Sequence, residues 1–210
     1  MDAAQNKIVT REHITGSNNG WAELKQFWRS DLYRYTGEIR TKTYIHAFFR
    51  NQAYRHTFLM RLCSFLNRDR NILKRLAFRP VYEIFRHYSI IFGLEIPCIA
   101  QIGYGLYLPH PLDIVVHKDA VIGNNCVISQ GVTIGDVKRG DRVGVPSIGD
   151  NVFIAPGAVV IGKIKIGNNV AIGANSVVNI DLPDNAVAAG VPARIISFKG
   201  AGEYINRIDY

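Results

Sequence analysis

Two hydrophobic patterns divide the chain near residue 94. From Trp21 to about Phe92, apolar residues recur at spacings near three and four: WAELKQFWRSDLYRY places Trp21, Leu24, Phe27, Trp28 and Tyr35 along one helical face. A second amphipathic stretch runs from about Thr43 to Leu66, its apolar face supplied by Phe48, Phe49, Phe58, Leu59, Leu62 and Phe65. Pro80 interrupts or starts a third, which continues through Val81, Ile84, Phe85 and Tyr88. This half is predicted to form three or four packed helices.

After Glu95 the helical period vanishes and a period of six replaces it. Aliphatic residues recur at Val116, Ile122, Ile128 and Ile134, then at Ile148, Ile154, Val160, Ile166, Ile172 and Val178. Many are followed by Gly, and the residue four further on is small or β-branched: Cys126, Val132, Val152, Ala158, Val170, Ser176. An earlier copy in a shifted phase runs Ile96, Ile102, Leu108, Ile114. A six-residue repeat predicts a solenoid of short strands joined by tight corners, with one aliphatic per strand on a narrow axis and Gly or Asn where the corner needs an unusual φ. A β-sandwich of alternating strands would not hold that period through successive NNV, NNV and ANS corners.

Two departures break the register. Ile134 to Ile148 is 14 residues where six are expected, so eight extra residues within DVKRGDRVGVPS must leave the stack as a loop. Ile114 to Ile122 is eight, just after LPHPLD.

Charge and aromatic content divide at the same point. Residues 1–94 carry 16 basic and 7 acidic side chains, net +9, whereas residues 95–210 carry 9 and 10, net −1; 16 of the 22 aromatics fall in the first part. Bulky rings do not fit a solenoid axis, which accounts for their scarcity past residue 94. The basic half reads either as solvated helix faces or as a surface attracting an anionic glycan or an anionic membrane. The three cysteines, Cys63, Cys98 and Cys126, have no paired spacing that could hold zinc or define a disulfide framework, which fits a reducing compartment. The first residues show no secretory signal, no 18-residue apolar span exists, and a cytoplasmic location, with at most peripheral contact at the inner face of the plasma membrane, is expected.

Of six histidines, only His110 and His117 lie in the repeat region. His110 sits where the repeat is disturbed, between Pro109 and Pro111, which stiffen its backbone. A prepositioned imidazole suits a general base, because its unperturbed pKa near 6.5 lets it accept a proton at neutral pH. His117, beside Lys118, reads as a solvated corner residue. With two histidines in the repeat region, the three-histidine site of a zinc hydratase is not expected, and no nucleic-acid motif accompanies the net charge.

The stretch FGLEIPCIAQIGYGLYLPHPLDIVV, followed by ISQGVTIG, the GDR of the loop and the closing AAGVPARII, resembles the left-handed β-helix hexapeptide acyltransferases, within them the serine O-acetyltransferase group. The resemblance spans roughly residues 85–200. With the polar start ending in GSNNG and the helical spacing described above, it gives an α+β chain: a flexible tail over 1–19, helices over 20–94, a single-stranded left-handed parallel β-helix over 95–197 with its loop at 136–147, and a C-terminal tail over 198–210. It implies a homotrimer, or a dimer of such trimers, with sites between neighbours and acetyl-CoA in the cleft. His110 matches the family's catalytic base and Glu95 the carboxylate that orients it. Ala155, Gly157 and Gly173 would flank the pantetheine, with Arg194 near the nucleotide phosphates and no metal. In similar enzymes the base deprotonates an acceptor hydroxyl that attacks the thioester directly.

Two positions depart from the serine group's pattern: Pro109 stands where its Asp precedes the catalytic His, and Val143 where its His follows Arg. Both missing side chains hold the serine amino acid in that group. Asp113 and Arg142 remain as candidates to grip an acceptor. With GVPSIGDNVFI after the loop, this variant pattern resembles the acetyltransferases of bacterial capsule and exopolysaccharide pathways, which implies a hydroxyl of a capsular or exopolysaccharide carbohydrate, anionic or lipid-linked, as the expected acceptor, with serine, for cysteine biosynthesis, as the alternative. A purely structural solenoid would leave the Glu95 and His110 coincidence without a purpose.

Overall fold

The computed structural model describes residues 20–68 and 72–210, so the tail expected over 1–19 lies outside the described residues. Four helices come first: α1 (Gly20–Thr36), α2 (Thr41–Arg50), α3 (Gln52–Asn67) and α4 (Ile72–Phe92). The single stretch expected from Thr43 to Leu66 is two helices. Asn51 between them is extended, and its side-chain oxygen accepts the Tyr54 N–H at 3.0 Å, which starts α3 afresh. Pro80 neither interrupts nor starts a helix but lies inside α4. The backbone hydrogen bond it forfeits would have gone to the carbonyl of Leu76, an exposed residue within reach of water.

The remainder is a three-sided coil of strands. The first sheet stacks β1 (Leu94–Glu95), β3 (Ile114–Val116), β6 (Thr133–Gly135), β9 (Val159–Ile161) and β12 (Val177–Val178). The second stacks β2 (Gln101–Ile102), β4 (Val121–Ile122), β7 (Ser147–Ile148) and β10 (Lys165–Ile166). The third stacks β5 (Val127–Ile128), β8 (Phe153–Ile154), β11 (Ala171–Ile172), β13 (Val187–Gly190) and β14 (Ala193–Ser197). Every pairing is parallel except the closing hairpin of β13 with β14. Ile122, Ile128, Ile134, Ile148, Ile154, Val160, Ile172 and Val178 are wholly buried, so the hexad aliphatics form the axis as the period predicts.

The pairings also count the residues in each coil. Val115 pairs with Thr133, 18 residues on, whereas Glu95 pairs with Val115 and Gln101 with Val121, both 20 on. Thr133 pairs with Val159, 26 on, which is the eight-residue excursion. The two extra residues of the first coil therefore lie between Leu108 and Val116, within PHPLD, and not between Ile114 and Ile122 as the period suggested. Ile114 misleads because it occupies a second inward position, buried like Val132, two residues before the axial Val116. Two buried aliphatics two apart both imitate the start of a hexad.

The helices close the open end of the first coil. Asp31 of α1 and Arg61 of α3 are both buried, joined at 3.0 Å. Arg61 donates to the carbonyls of Ile102 and Gly103 at 2.6 Å each, and Asp31 accepts the Leu106 N–H at 2.9 Å. Ser30 Oγ accepts from the Gly105 N–H at 3.1 Å, and Tyr35 Oη from the Leu108 N–H at 3.0 Å. A first coil has no neighbour below it, and these side chains satisfy backbone groups that would otherwise be buried without partners. Burial pushes the Asp31 carboxyl up from its ordinary range, opposed by the Arg61 guanidinium.

Residues 200–210 form a strap that runs back down the coil. The Ala201 N–H donates to Asn169 Oδ1 at 3.1 Å, Tyr204 stacks on Phe153 at 4.4 Å, and Tyr210 Oη donates to Asn125 Oδ1 at 2.8 Å. At its end, Arg207 donates to the Tyr35 carbonyl at 2.7 Å and Arg34 donates to the Asn206 carbonyl, so the strap ties the later coils to α1.

His56 of α3 is wholly buried, 3.1 Å from Ser89 Oγ, and burial pushes its pKa down to about 3. It is neutral in the fold, while in the unfolded chain it titrates near 6.5. Stability from this group is full above about pH 6.5 and falls as pH drops, by about 1.4 kcal/mol per unit, until the folded value is reached. We expect the urea midpoint to fall between pH 7.5 and pH 5.0, and to fall less in His56→Gln; equal falls in both proteins would contradict this assignment.

Candidate active site

His110 lies in the enlarged corner that joins the third sheet, where Tyr107 pairs with Val127, to the first, where β3 begins. The corner is held by backbone: the Leu112 N–H donates to the His110 carbonyl at 2.9 Å, and the Asp113 N–H to the Phe92 carbonyl at 3.2 Å. The imidazole is exposed. Asp113 has φ 52 and stands directly over Gly93, φ 61, where a side chain would run into the Asp113 carboxylate. Glu95 is two residues beyond Gly93 on β1, exposed, in register with Val115. His110 and Asp113 thus share the enlarged corner that leads into β3, and Glu95 stands on the neighbouring strand β1. No hydrogen bond or ion pair joins Glu95 to His110 in the single chain, so the expected contact between carboxylate and imidazole is not formed here.

Above His110 the same edge continues as a ladder of backbone bonds. The Gly131 N–H reaches the Leu112 carbonyl at 3.0 Å, the Gly157 N–H the Gln130 carbonyl at 2.9 Å, and the Asn175 N–H the Pro156 carbonyl at 2.9 Å. Gly131 and Gly157 both have φ 71, and a side chain at Gly157 would collide with Asn175 Oδ1. Alongside, the Ala155 N–H donates to the Ile172 carbonyl at 3.0 Å and the Gly173 N–H to the Ala188 carbonyl at 2.8 Å. Arg194 closes this line: it pairs with Ala189 in the hairpin, is exposed, and its guanidinium turns to the Ala193 carbonyl at 2.9 Å. The structure therefore sets Ala155, Gly157, Gly173 and Arg194 along one edge with His110 at its base. Small residues leave a smooth track along which a narrow chain could run.

Arg142 is elsewhere. The excursion between β6 and β7 is pinned by reciprocal bonds between Val137 and Gly144 at 3.0 Å, and it leaves the edge between the first and second sheets. Arg142 Nη1 contacts Asp181 Oδ1 at 3.2 Å, and its carbonyl accepts the Lys163 N–H at 2.9 Å. In one chain the guanidinium and the imidazole stand on different edges. Absent from the expected site residues is Gln130, on the ladder one coil above His110, whose side-chain oxygen is buried without a partner. Its place inside ISQGVTIG, beside the corner Gly131, was the available signal. Among the described residues no group of His, Cys, Asp and Glu could hold a metal ion.

Two family descriptions match the coil: bacterial transferase hexapeptide (six repeats) over residues 146–179, and hexapeptide repeat of succinyl-transferase over residues 114–136. Serine acetyltransferase of Staphylococcus aureus strain N315 is 42% identical over 132 residues, covering 62% of this chain and 60% of the relative. The chain thus spans about three fifths of the length of that curated relative. A crystal structure of Neisseria gonorrhoeae serine acetyltransferase in complex with serine is 32% identical, with TM-score 0.65 over 82% of this chain and 69% of that one. A solved serine acetyltransferase complex with CoA is 27% identical, with TM-score 0.66 over 85% of this chain and 72% of that one. The expectation of a carbohydrate acceptor falls on these findings, because the relatives are serine enzymes. Its weakness is physical: Pro109 and Val143 show which two side chains are gone, but a lost contact does not specify a different ligand when Asp113 and Arg142 can supply opposite charges.

Proposed function

Since the chain belongs to the hexapeptide-repeat acyltransferase family, we propose that it is a serine O-acetyltransferase using acetyl-CoA as acyl donor. The observation that carries this reading is the likeness to a serine-bound serine acetyltransferase across 82% of the chain, helices and coil together. The coil is taken as left-handed and the assembly as a homotrimer, in which the Arg142 edge of one copy faces the His110 edge of the next.

In this reading His110 takes the proton from the serine hydroxyl as its oxygen attacks the thioester carbonyl; the C–S bond then breaks, the CoA sulfur leaves as the thiol with the proton returned by the imidazolium, and no acyl-enzyme forms. Glu95 orients the imidazole and stabilises the imidazolium that develops. Asp113 meets the serine ammonium and Arg142 of the neighbour its carboxylate. Acetyl-CoA supplies the acetyl group, and the edge of small residues fits its pantetheine: Ala155, Gly157 and Gly173 leave room where any larger side chain would block it, and Arg194 faces the phosphates. Holding hydroxyl and thioester together accounts for the remaining acceleration.

Thiol release from acetyl-CoA tests the acceptor. Adding L-serine is expected to accelerate release at least tenfold over a panel of free and polymeric sugars; acceleration by a sugar with serine silent would overturn the proposal.

A further inference from the structure

We infer that α4 carries a docking surface for an anionic lipid bilayer, independent of the reaction assigned above. The helix has 21 residues, about 31 Å at 1.5 Å per residue. One side is packed: Phe85 is buried, and Phe78, Val81, Tyr82 and Tyr88 lie against the core. At 100° per residue the opposite side collects Leu76, Ala77, Pro80, Ile84 and Ile91 into a second, mainly apolar stripe, in which His87 is the one polar residue. Leu76 is 67% exposed, Ile84 50% and Ile91 54%, which no solvated helix face requires.

Charge decides what such a stripe fits. Between the packed side and the bare stripe stand Arg75, Arg79 and Arg86, within about 40° of one another on the wheel. The one acidic residue of the helix, Glu83, already bonds Arg86 at 3.0 Å. A second copy laid on the stripe would bring two rows of arginine together with little to neutralise them. An anionic bilayer accepts the aliphatic stripe at the acyl boundary while the guanidinium groups meet the headgroups. Among the described residues no helix is long and apolar enough to cross a membrane, so α4 lies on the surface and does not span it.

The experiment is flotation of the full chain with phosphatidylcholine vesicles, with and without about one third phosphatidylglycerol. Co-flotation with the anionic vesicles alone is expected, weakened at least tenfold at 1 M salt, where screening shortens to about 3 Å. The triple change R75Q/R79Q/R86Q should weaken binding about a hundredfold, at roughly fivefold per arginine. The pair L76E/I84E should abolish it while circular dichroism and the melting temperature stay unchanged, since both side chains are exposed. Failure to bind anionic vesicles, or equal binding to neutral ones, overturns the inference. So does a change in oligomer size on L76E/I84E, measured by sedimentation without vesicles, because the stripe would then be a seam between copies.

Discussion

Replacing His110 by Ala is expected to reduce serine-dependent acetyl transfer by about 10²–10⁴-fold, the usual worth of a positioned general base. The effect should fall on kcat with little change in the KM for acetyl-CoA, because the small-residue track above the imidazole is untouched. Stability should hardly move: the side chain is exposed, and the corner is fixed by backbone bonds from Leu112 and Asp113. Glu95→Gln should cost less, since it leaves the imidazole in place and removes only the charge proposed to orient it. Thiol release at saturating serine gives kcat, and near-normal turnover in His110→Ala would show that another group takes the proton.

The largest stability effect is expected at Asp31. Changing it to Ala leaves Arg61 buried and charged without a counter-ion, facing the carbonyls of Ile102 and Gly103 and the ring of Phe27. Removing one partner of a buried pair costs about 3–5 kcal/mol. The loss should appear in urea unfolding as a lower midpoint, and the Leu106 N–H, which loses its acceptor, adds to it. The double change D31A/R61M should recover part of the loss, because no buried charge is then left alone, although Ile102 and Gly103 lose their donor. A cost below about 1 kcal/mol for Asp31→Ala would mean that water reaches Arg61 and that α1 and α3 do not seal the coil.

Several features could be read from residues alone. The hexads from Val116 to Val178 announced the coil, the DVKRGDRVGVPS excursion was located to the residue count, and Trp21 to Phe92 announced helices. His110 drew notice through the prolines on either side of it and the disturbed register around it. Other features were hidden. Asn51 looked like one polar residue in a continuous amphipathic stretch, and its capping role depends on a side chain bending to Tyr54. Ile114 and Val116 could not be told apart as axial residues until their partners were known. Pro109 and Val143 turned the acceptor reading toward carbohydrate, since an absent side chain gives no measure of what a neighbouring copy or a nearby carboxylate supplies.

By itself the sequence determined the coil, because every turn must bury an aliphatic and bend at a small or asparagine corner, and a local demand repeated so often leaves a period. Tertiary structure alone decided how the coil is closed and tied. Asp31 and Arg61 meet across 30 residues, Ser30 and Gly105 across 75, and Tyr210 and Asn125 across 85. Each such contact happens once, between polar groups whose partners are set by the path of the whole chain. A single event has no period, so only the folded chain could show which residues seal the base of the coil.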